Sequence, residues 1–265
     1  MSNKLSAFTE NIVDVAGTRL QMRSGGDGEP LLILHGELGF PGWMEYHSLF
    51  SKSYKTLVPS HPGYDKSDRL EWVANIRDLA GWYLEALDDL GLDEINIMGF
   101  SMGGWLAAEM AVMHPTKFRK MVLVSATGIK PEQGEIYDIF LNLPKDYLKV
   151  SFLNPDLVSE FEIICPDDPS ESKVETWEVA REQSCRMTWK PYMYNPTLKH
   201  LLGRLKTLDT LIVWGSDDAI VPKDCGHIYK SVIKGSHLEI IDECGHRPEI
   251  EQAHLFSDKV LSFLS

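Results

Sequence analysis

The apolar residues of this chain fall into short continuous runs, separated by longer segments in which they recur at helical spacing. Continuous runs are typical of strands buried on both faces of a sheet, and the periodic segments are typical of amphipathic helices. Strands and helices that alternate in this way form a mainly parallel, twisted sheet with helices on both faces, an α/β fold. The pattern predicts strands at residues 11–15, 19–22, 30–34, 55–59, 95–98, 120–125, 210–214 and 237–241, and helices at residues 43–50, 73–90, 105–113, 221–232 and 252–264.

The alternation stops between residues 128 and 206, where no apolar run of comparable strength occurs. This stretch is rich in aromatic residues and is broken by prolines. We interpret it as a helical cap inserted into one core, whose two parts are residues 1–127 and 207–265. Most cap aromatics are expected to pack within the cap, and some are expected to line a pocket beneath it. The helices expected in the cap are residues 136–141, 155–163, 174–189 and 196–205.

A serine lies between the strand at 95–98 and the helix at 105–113, in the sequence Gly99-Phe100-Ser101-Met102-Gly103. A serine at the tip of a sharp strand-to-helix turn has a strained backbone, so its neighbours two positions away must be small. The amides at the start of the following helix can stabilise a negative charge that develops beside the serine. The spacing alone arises by chance in roughly one in ten chains of this length. The flanking strand and helix therefore strengthen the prediction of a nucleophilic serine.

Three other predicted strands end in loops that carry suitable partners: a loop with Glu37, a loop with Asp217 and Asp218, and a loop with His246. In an open α/β sheet, the loops at the carboxyl ends of the strands hold the active site. Serine becomes a good nucleophile when a histidine removes its proton and a carboxylate orients that histidine. The chain order of serine, then aspartate, then histidine is the one expected for this architecture.

With these motifs, the chain resembles the α/β-hydrolase fold family, of the single-chain kind with a helical cap, over nearly its whole length. The resemblance implies that Ser101 is the nucleophile and His246 is the base. It also implies that Asp218, and not Asp217, is the acid, because the family's acid usually lies three residues after a glycine, here Gly215, and shortly before a Val-Pro pair. Neither a metal nor an organic cofactor is implied.

The same resemblance implies an oxyanion hole formed by the backbone amides of Glu37 and Met102, whose side chains are then free to vary. His35 and His61 are expected to shape their loops and not to act as bases. One position departs from the family pattern, since Asp65 stands where a second glycine usually follows the Pro-Gly-Tyr loop. Aspartate tolerates unusual backbone angles better than most residues, so this departure affects the expected loop shape only.

The main functional prediction is a serine hydrolase that cleaves carboxylic esters of small, largely apolar molecules. The nearest alternative is a carbon–carbon bond hydrolase of ring-cleavage products, although those enzymes tend to place an aromatic residue where Arg247 follows the histidine. Dehalogenases and epoxide hydrolases of this fold need an aspartate nucleophile, and the serine at position 101 argues against them. A weakly catalytic receptor for a small ligand is the alternative from another class.

Composition limits the partners and the location. The net charge of −13 argues against nucleic acid and against anionic membranes. The four cysteines have no C-x-x-C spacing, and the two Cys-Gly-His triplets lack the usual metal-ligand spacings, so we expect free thiols and no metal site. Residues 1–10 lack the pattern of a signal peptide, and no apolar stretch approaches the roughly 20 residues that span a bilayer. We expect a cytoplasmic protein that acts on a small-molecule ester, in an oligomeric state that the sequence leaves open.

Overall fold

The computed structural model describes residues 6–265 and contains one eight-stranded sheet. The expectation about a signal peptide in residues 1–10 falls partly on residues 1–5, which lie outside the described residues. The strands are β1 (Phe8–Val15), β2 (Thr18–Gly25), β3 (Glu29–Leu34), β4 (Tyr54–Pro59), β5 (Ile95–Phe100), β6 (Phe118–Val124), β7 (Asp209–Gly215) and β8 (His237–Ile241).

The strand order is β1-β2-β4-β3-β5-β6-β7-β8. The six strands from β4 to β8 in this order are parallel to one another, while β1 and β2 form an antiparallel hairpin and β2 pairs antiparallel with β4. All six residues of the central strand β5 are buried. Because side chains alternate between the two faces of a strand, this burial means that both faces of the sheet are covered there.

The predicted core helices are all present, with ends within three residues of the expected ones, but the short helix Pro248–Glu251 was not predicted. Helix α2 (Ile76–Asp89) begins where the Asn75 side chain accepts a hydrogen bond from the Asp78 amide, and it ends before Gly91, whose φ is +64°. The helices are α1 (Glu45–Phe50), α2 (Ile76–Asp89), α3 (Met102–Met113), α4 (Pro144–Val150), α5 (Phe161–Ile164), α6 (Glu171–Thr188), α7 (Leu198–Leu201), α8 (Asp224–Val232), α9 (Pro248–Glu251) and α10 (Ala253–Leu264), with 3₁₀ turns at Pro115–Lys117, Pro155–Leu157 and Leu202–Arg204.

Of the helices predicted in the inserted segment, the one at residues 136–141 is wrong and the one at residues 155–163 is wrong in part. Residues 136–141 form no helix, because the Asp138 side chain accepts hydrogen bonds from the Phe140 amide (2.8 Å) and the Leu141 amide (3.1 Å) and so holds a turn. Residues 155–163 contain only a 3₁₀ turn and the start of α5. No residue of that 3₁₀ turn is buried, so packing does not support a longer helix there.

We call residues 128–206, which lie between β6 and β7, the cap segment; its exact limits remain a prediction. Its first residue, Gly128, pairs with residues 193–195: the Gly128 amide donates to Met193 O (2.9 Å), and its carbonyl accepts from the Asn195 amide (3.0 Å). Further along, the segment contacts the loop after β3 and the loop after β8. The cap segment therefore packs against the edge of the sheet at which the parallel strands end.

Candidate active site

The serine lies on a strained turn between β5 and α3. Ser101 has φ of 49° and ψ of −115°, a conformation that residues other than glycine rarely adopt. The turn is held by hydrogen bonds from the Ser101 amide to Val124 O (2.9 Å) and from the Thr127 amide to Ser101 O (3.2 Å). The Ser101 side chain makes no capping bond to α3. Helix capping therefore does not explain the serine.

The two glycines of the motif are required by close packing around this turn. A β-carbon on Gly99 would overlap the carbonyl of Gly103, and one on Gly103 would overlap the carbonyls of Leu34 and His35 at the end of β3. Glycine at these positions lets α3 approach the sheet closely and lets the loop after β3 pass beside the serine. A β-carbon on Gly36 of that loop would stand 3.4 Å from Ser101 Cβ.

The loops after β7 and β8 bring an aspartate and a histidine together. His246 Nδ1 lies 2.9 Å from Asp218 Oδ2 and 3.1 Å from Oδ1, and the Asp218 side chain is fully buried. Asp218 Oδ1 also accepts hydrogen bonds from the Ile220 and Val221 amides, each at 2.9 Å. Asp217, by contrast, is exposed and accepts a hydrogen bond from its neighbour Ser216. Of the two aspartates, only Asp218 reaches the histidine.

The charge state of His246 follows from this partner. Burial acts to lower the pKa of His246, but the negative charge of Asp218 and its hydrogen bond act more strongly in the other direction, with a smaller contribution from Glu37. The pKa of His246 therefore lies above its ordinary value of 6.5. An imidazole held in this way is suited to accept a proton and to carry the resulting charge.

The histidine loop is also tied to the cap segment. The His246 amide donates to Ser151 O (2.9 Å), just after α4. The Glu251 carboxylate accepts two hydrogen bonds of 2.9 Å, one at Oε1 from the Gly245 amide and one at Oε2 from the Leu153 amide. One carboxylate thus joins the loop that carries His246 to the chain that follows α4. The sequence offered no signal for this link, because it depends on contacts between positions about 100 apart.

Ser101 and His246 line one cleft that is partly open to solvent. The Ser101 hydroxyl is buried and has no hydrogen-bond partner among residues 6–265. The expectation that aromatics of the cap line this cleft is wrong, since its aromatic lining comes from Tyr46 and Phe100 of the core. The lining residues are His35, Gly36, Glu37, Gly39, Pro41, Tyr46, Phe100, Ser101, His246, Arg247 and Glu249.

The cap is absent from this lining because it packs directly onto the loop after β3. The Tyr147 hydroxyl donates to Glu37 Oε1, and the Ser184 hydroxyl donates to Glu37 O (2.6 Å). These contacts close the cap side of the cleft. The hydrogen bond from Ser184 thus holds the Glu37 carbonyl toward the cap. Met102 is the first residue of α3, so its amide has no hydrogen-bond partner within the helix. Their role as an oxyanion hole remains a prediction.

Two carboxylates and one guanidinium line the cleft besides the predicted groups. Glu37 is buried; burial acts to raise its pKa, but the nearby charges of His246 and Arg247 and the Tyr147 hydrogen bond leave that pKa lowered. Burial raises the pKa of Glu249 to about 7. The Oε2 atoms of Glu37 and Glu249 have no hydrogen-bond partner among the described residues. Sequence reasoning gave the Glu37 side chain no role and did not single out Glu249.

The two histidines near the cleft hold loops together. Burial lowers the pKa of His35 to about 3, so this ring is neutral. Its Nδ1 donates to Gly36 O (2.8 Å), and its Nε2 accepts from the His61 amide (2.9 Å). The His61 ring in turn bonds to His35 O (3.0 Å) and to the Tyr83 hydroxyl (2.7 Å). All four ring nitrogens therefore form hydrogen bonds that hold the two loops together.

The position that departs from the family pattern adopts the backbone that a glycine would. Asp65 has φ of 49°, and its carboxylate accepts a hydrogen bond from the Ser60 hydroxyl and lies 3.5 Å from Arg23 Nη2. Local bonds thus support the unusual backbone.

In residues 6–265, no three His, Cys, Asp or Glu side chains group as metal ligands, and no helix has the length and apolar character to cross a bilayer. All four cysteines are free thiols.

Comparison with known proteins identifies the fold. A family model for the alpha/beta hydrolase fold matches residues 29–150. The solved structure of a 2-hydroxy-6-oxo-6-phenylhexa-2,4-dienoate hydrolase from Rhodococcus superposes with a TM-score of 0.77 at 20% identity, and covers 98% of this chain and 99% of that one. The chain therefore has the α/β-hydrolase fold.

Two related sequences bear on the type of bond that is hydrolysed. A 2-hydroxy-6-oxononadienedioate/2-hydroxy-6-oxononatrienedioate hydrolase from Pseudomonas putida is 27% identical, over 91% of this chain and 90% of its own. A 2-hydroxy-6-oxo-6-phenylhexa-2,4-dienoate hydrolase from Burkholderia cepacia is 25% identical, over 97% of this chain and 95% of its own. The chain is a hydrolase, and these relatives agree better with the alternative expectation, hydrolysis of ring-cleavage products, than with the main expectation of ester cleavage.

Proposed function

We propose that this protein is a serine hydrolase that cleaves a carbon–carbon bond in a ring-cleavage product of the 2-hydroxy-6-oxo-dienoate class. The observation that carries the hydrolase chemistry is the hydrogen bond between Asp218 and His246 at the cleft that Ser101 also lines. The proposal of a carbon–carbon bond instead of an ester bond is supported by the related sequences, which are named as hydrolases of 2-hydroxy-6-oxo compounds of this class.

In the proposed reaction, Ser101 attacks the carbonyl carbon C6 of the substrate while His246 accepts the hydroxyl proton. The amides of Glu37 and Met102 hold the oxygen that becomes negatively charged. Carbon C5 can leave only as a stabilised carbanion. This requires that the 2-hydroxy-diene has first tautomerised to its 2-oxo form, so that the charge spreads to the oxygen at C2.

The remaining steps restore the enzyme. Protonated His246 delivers its proton to C5, which releases the unsaturated oxo-acid and leaves an acyl group on Ser101. His246 then removes a proton from water, which hydrolyses the acyl-enzyme to a carboxylic acid. In total, one water molecule is consumed, its hydroxyl going to C6 and its hydrogen to C5.

The position of Arg247 is an argument for a substrate that carries a negative charge. It lines the cleft directly after His246 in the chain, and its Nε has no hydrogen-bond partner among residues 6–265. A guanidinium binds a carboxylate well, because its planar set of donors matches the two oxygens. We therefore propose that Arg247 binds the dienoate carboxylate at the position where ring-cleavage hydrolases tend to carry an aromatic residue.

Ester hydrolysis is the second candidate, and the acidic lining of the cleft favours it. Glu37 and Glu249 place carboxylates beside the reacting groups, and their charge opposes a substrate with one or two carboxylates of its own. A small neutral ester would avoid this repulsion. The same serine, histidine and aspartate would then attack the ester carbonyl and release an alcohol.

The two candidates are separated by assaying 2-hydroxy-6-oxo-6-phenylhexa-2,4-dienoate and a set of 4-nitrophenyl esters with the purified protein. We expect steady turnover of the dienoate, measured by loss of its visible absorbance, with kcat/KM well above that for the esters. The Ser101→Ala variant should lose several orders of magnitude in kcat. Turnover of esters without cleavage of the dienoate would establish the ester hydrolase. A single slow turnover with either compound would point to a ligand receptor.

A further inference from the structure

The Glu37 side chain combines two features that the proposed reaction does not use. It is 1% exposed, and it lines the cleft together with Ser101 and His246. One carboxylate oxygen, Oε1, accepts a hydrogen bond from Tyr147 in the cap, while Oε2 has no partner among the described residues. A buried carboxylate oxygen without a partner is unfavourable, and such a group in a pocket indicates a missing donor.

The surroundings of Glu37 keep this carboxylate available. Tyr147 fixes the orientation of the carboxylate from the cap side, and Ser184 fixes the carbonyl of the same residue. The positive charge of Arg247, and that of His246 when it is protonated, favour the ionised form, which accepts hydrogen bonds and donates none. The side chain is thus a preorganised acceptor next to the reacting groups.

We infer that Glu37 is a specificity-determining residue, whose Oε2 accepts a hydrogen bond from a hydroxyl group of the substrate. In the proposed substrate class this hydroxyl is the one at C2 of the 2-hydroxy-diene as it first binds, before it tautomerises to the 2-oxo form. The inference rests on the proposed hydrolase chemistry at Ser101, but not on which bond is cleaved. It predicts that the cleft prefers a substrate with this hydroxyl over the same molecule without it.

The test separates binding from chemistry. In a Ser101→Ala background, the dissociation constants of 2-hydroxy-6-oxo-6-phenylhexa-2,4-dienoate and of 6-oxo-6-phenylhexa-2,4-dienoate are compared by titration. A hydrogen bond to a charged acceptor predicts roughly 10- to 150-fold tighter binding of the hydroxyl compound. Adding Glu37→Gln should lower this preference severalfold. The glutamine Oε1 still accepts from Tyr147, and its amide can then only donate an uncharged, weaker hydrogen bond to the oxygen of the substrate hydroxyl.

Two further variants serve as controls. Glu109 is a buried glutamate that also has an unpartnered Oε2, but it lies outside the lining of the cleft and bonds to Trp105 and Asn195. Glu109→Gln should therefore leave the preference intact. Tyr147→Phe removes the partner of Oε1 but keeps the carboxylate, so it should retain at least part of the preference. Thermal melting shows whether each variant is folded.

A parallel comparison covers the case in which the dienoate is not the substrate. Phenyl glycolate and phenyl propionate differ by a hydroxyl in place of a methyl, and their kcat/KM values are measured with Ser101 intact. If neither dienoate binds but the glycolate is preferred in a Glu37-dependent way, the proposed substrate fails and the role of Glu37 stands. A preference below threefold in both pairs, or one that Glu37→Gln leaves unchanged, would overturn the inference.

Discussion

The sheet core and the cap segment meet at the cleft but are built in different ways. In the core, β5 is buried along its whole length, and the reacting groups stand on loops that directly follow β5, β7 and β8. In the cap, helices are short apart from α6, and large apolar side chains such as Leu141 (80% exposed) and Leu157 (83% exposed) face solvent. The core therefore positions the reacting groups, and the cap acts on them through a few contacts.

Those contacts fall on the chain that also carries the chemistry. Tyr147 and Ser184 bond to Glu37, and the residues after α4 bond to the His246 loop. The bonds of Tyr147 and Ser184 to Glu37 are buried, so each can influence the cleft strongly. This difference predicts that changes in the core abolish activity, whereas changes at the cap contacts affect stability and selectivity.

The largest expected effect is on the pair formed by Asp218 and His246. Asp218→Asn keeps the shape of the side chain but removes the charge that orients and stabilises the imidazolium, so kcat should fall by about 10⁴-fold. The matched control is Asp217→Asn, one residue earlier and exposed, for which we expect a change within about threefold. Equal losses in the two variants would contradict the assignment of Asp218.

The sequence predicted the core well because its signals are local. The turn at Ser101 is bounded by a buried strand and a helix whose glycines are required by close packing, and these appear as a short motif. The cap was harder, since a single side chain, Asp138, replaced a predicted helix by a turn. The Glu37 carboxylate could not be assigned at all, because its partner Tyr147 is 110 positions away.

A smaller effect is expected at the contact between Tyr147 of the cap and Glu37. Tyr147→Phe leaves a buried carboxylate without its hydrogen-bond donor, which should lower the free energy of unfolding by about 1.5–3 kcal/mol. Urea denaturation of the variant and the parent measures this change. Tyr194→Phe, in the same segment, is the control, because Tyr194 is only partly buried; its expected change is within about 0.5 kcal/mol. Similar losses in both variants would show that the Glu37 contact does not anchor the cap.

The smallest effect is a shift in the pH dependence, which links the cap side of the cleft to the core. His246 must be neutral to accept the serine proton, and its pKa lies above 6.5 because Asp218, and to a lesser extent Glu37, favour the charged form. As the pH falls through this pKa, the base becomes protonated. The logarithm of kcat/KM should therefore decline on the acid side, with a midpoint above 6.5.

Glu37→Gln removes one of the negative charges that raise the pKa of His246, so the acid limb should move to lower pH. Glu249 also lines the cleft and has a pKa raised to about 7, so its own ionisation falls in the same range. Profiles in a Glu249→Gln background isolate the histidine, and Glu109→Gln controls for the loss of a buried glutamate elsewhere. A limb that stays in place in Glu37→Gln, or that moves to higher pH, would mean that the Glu37 charge does not act on the base. In that case the core and the cap side of the cleft would be electrostatically independent.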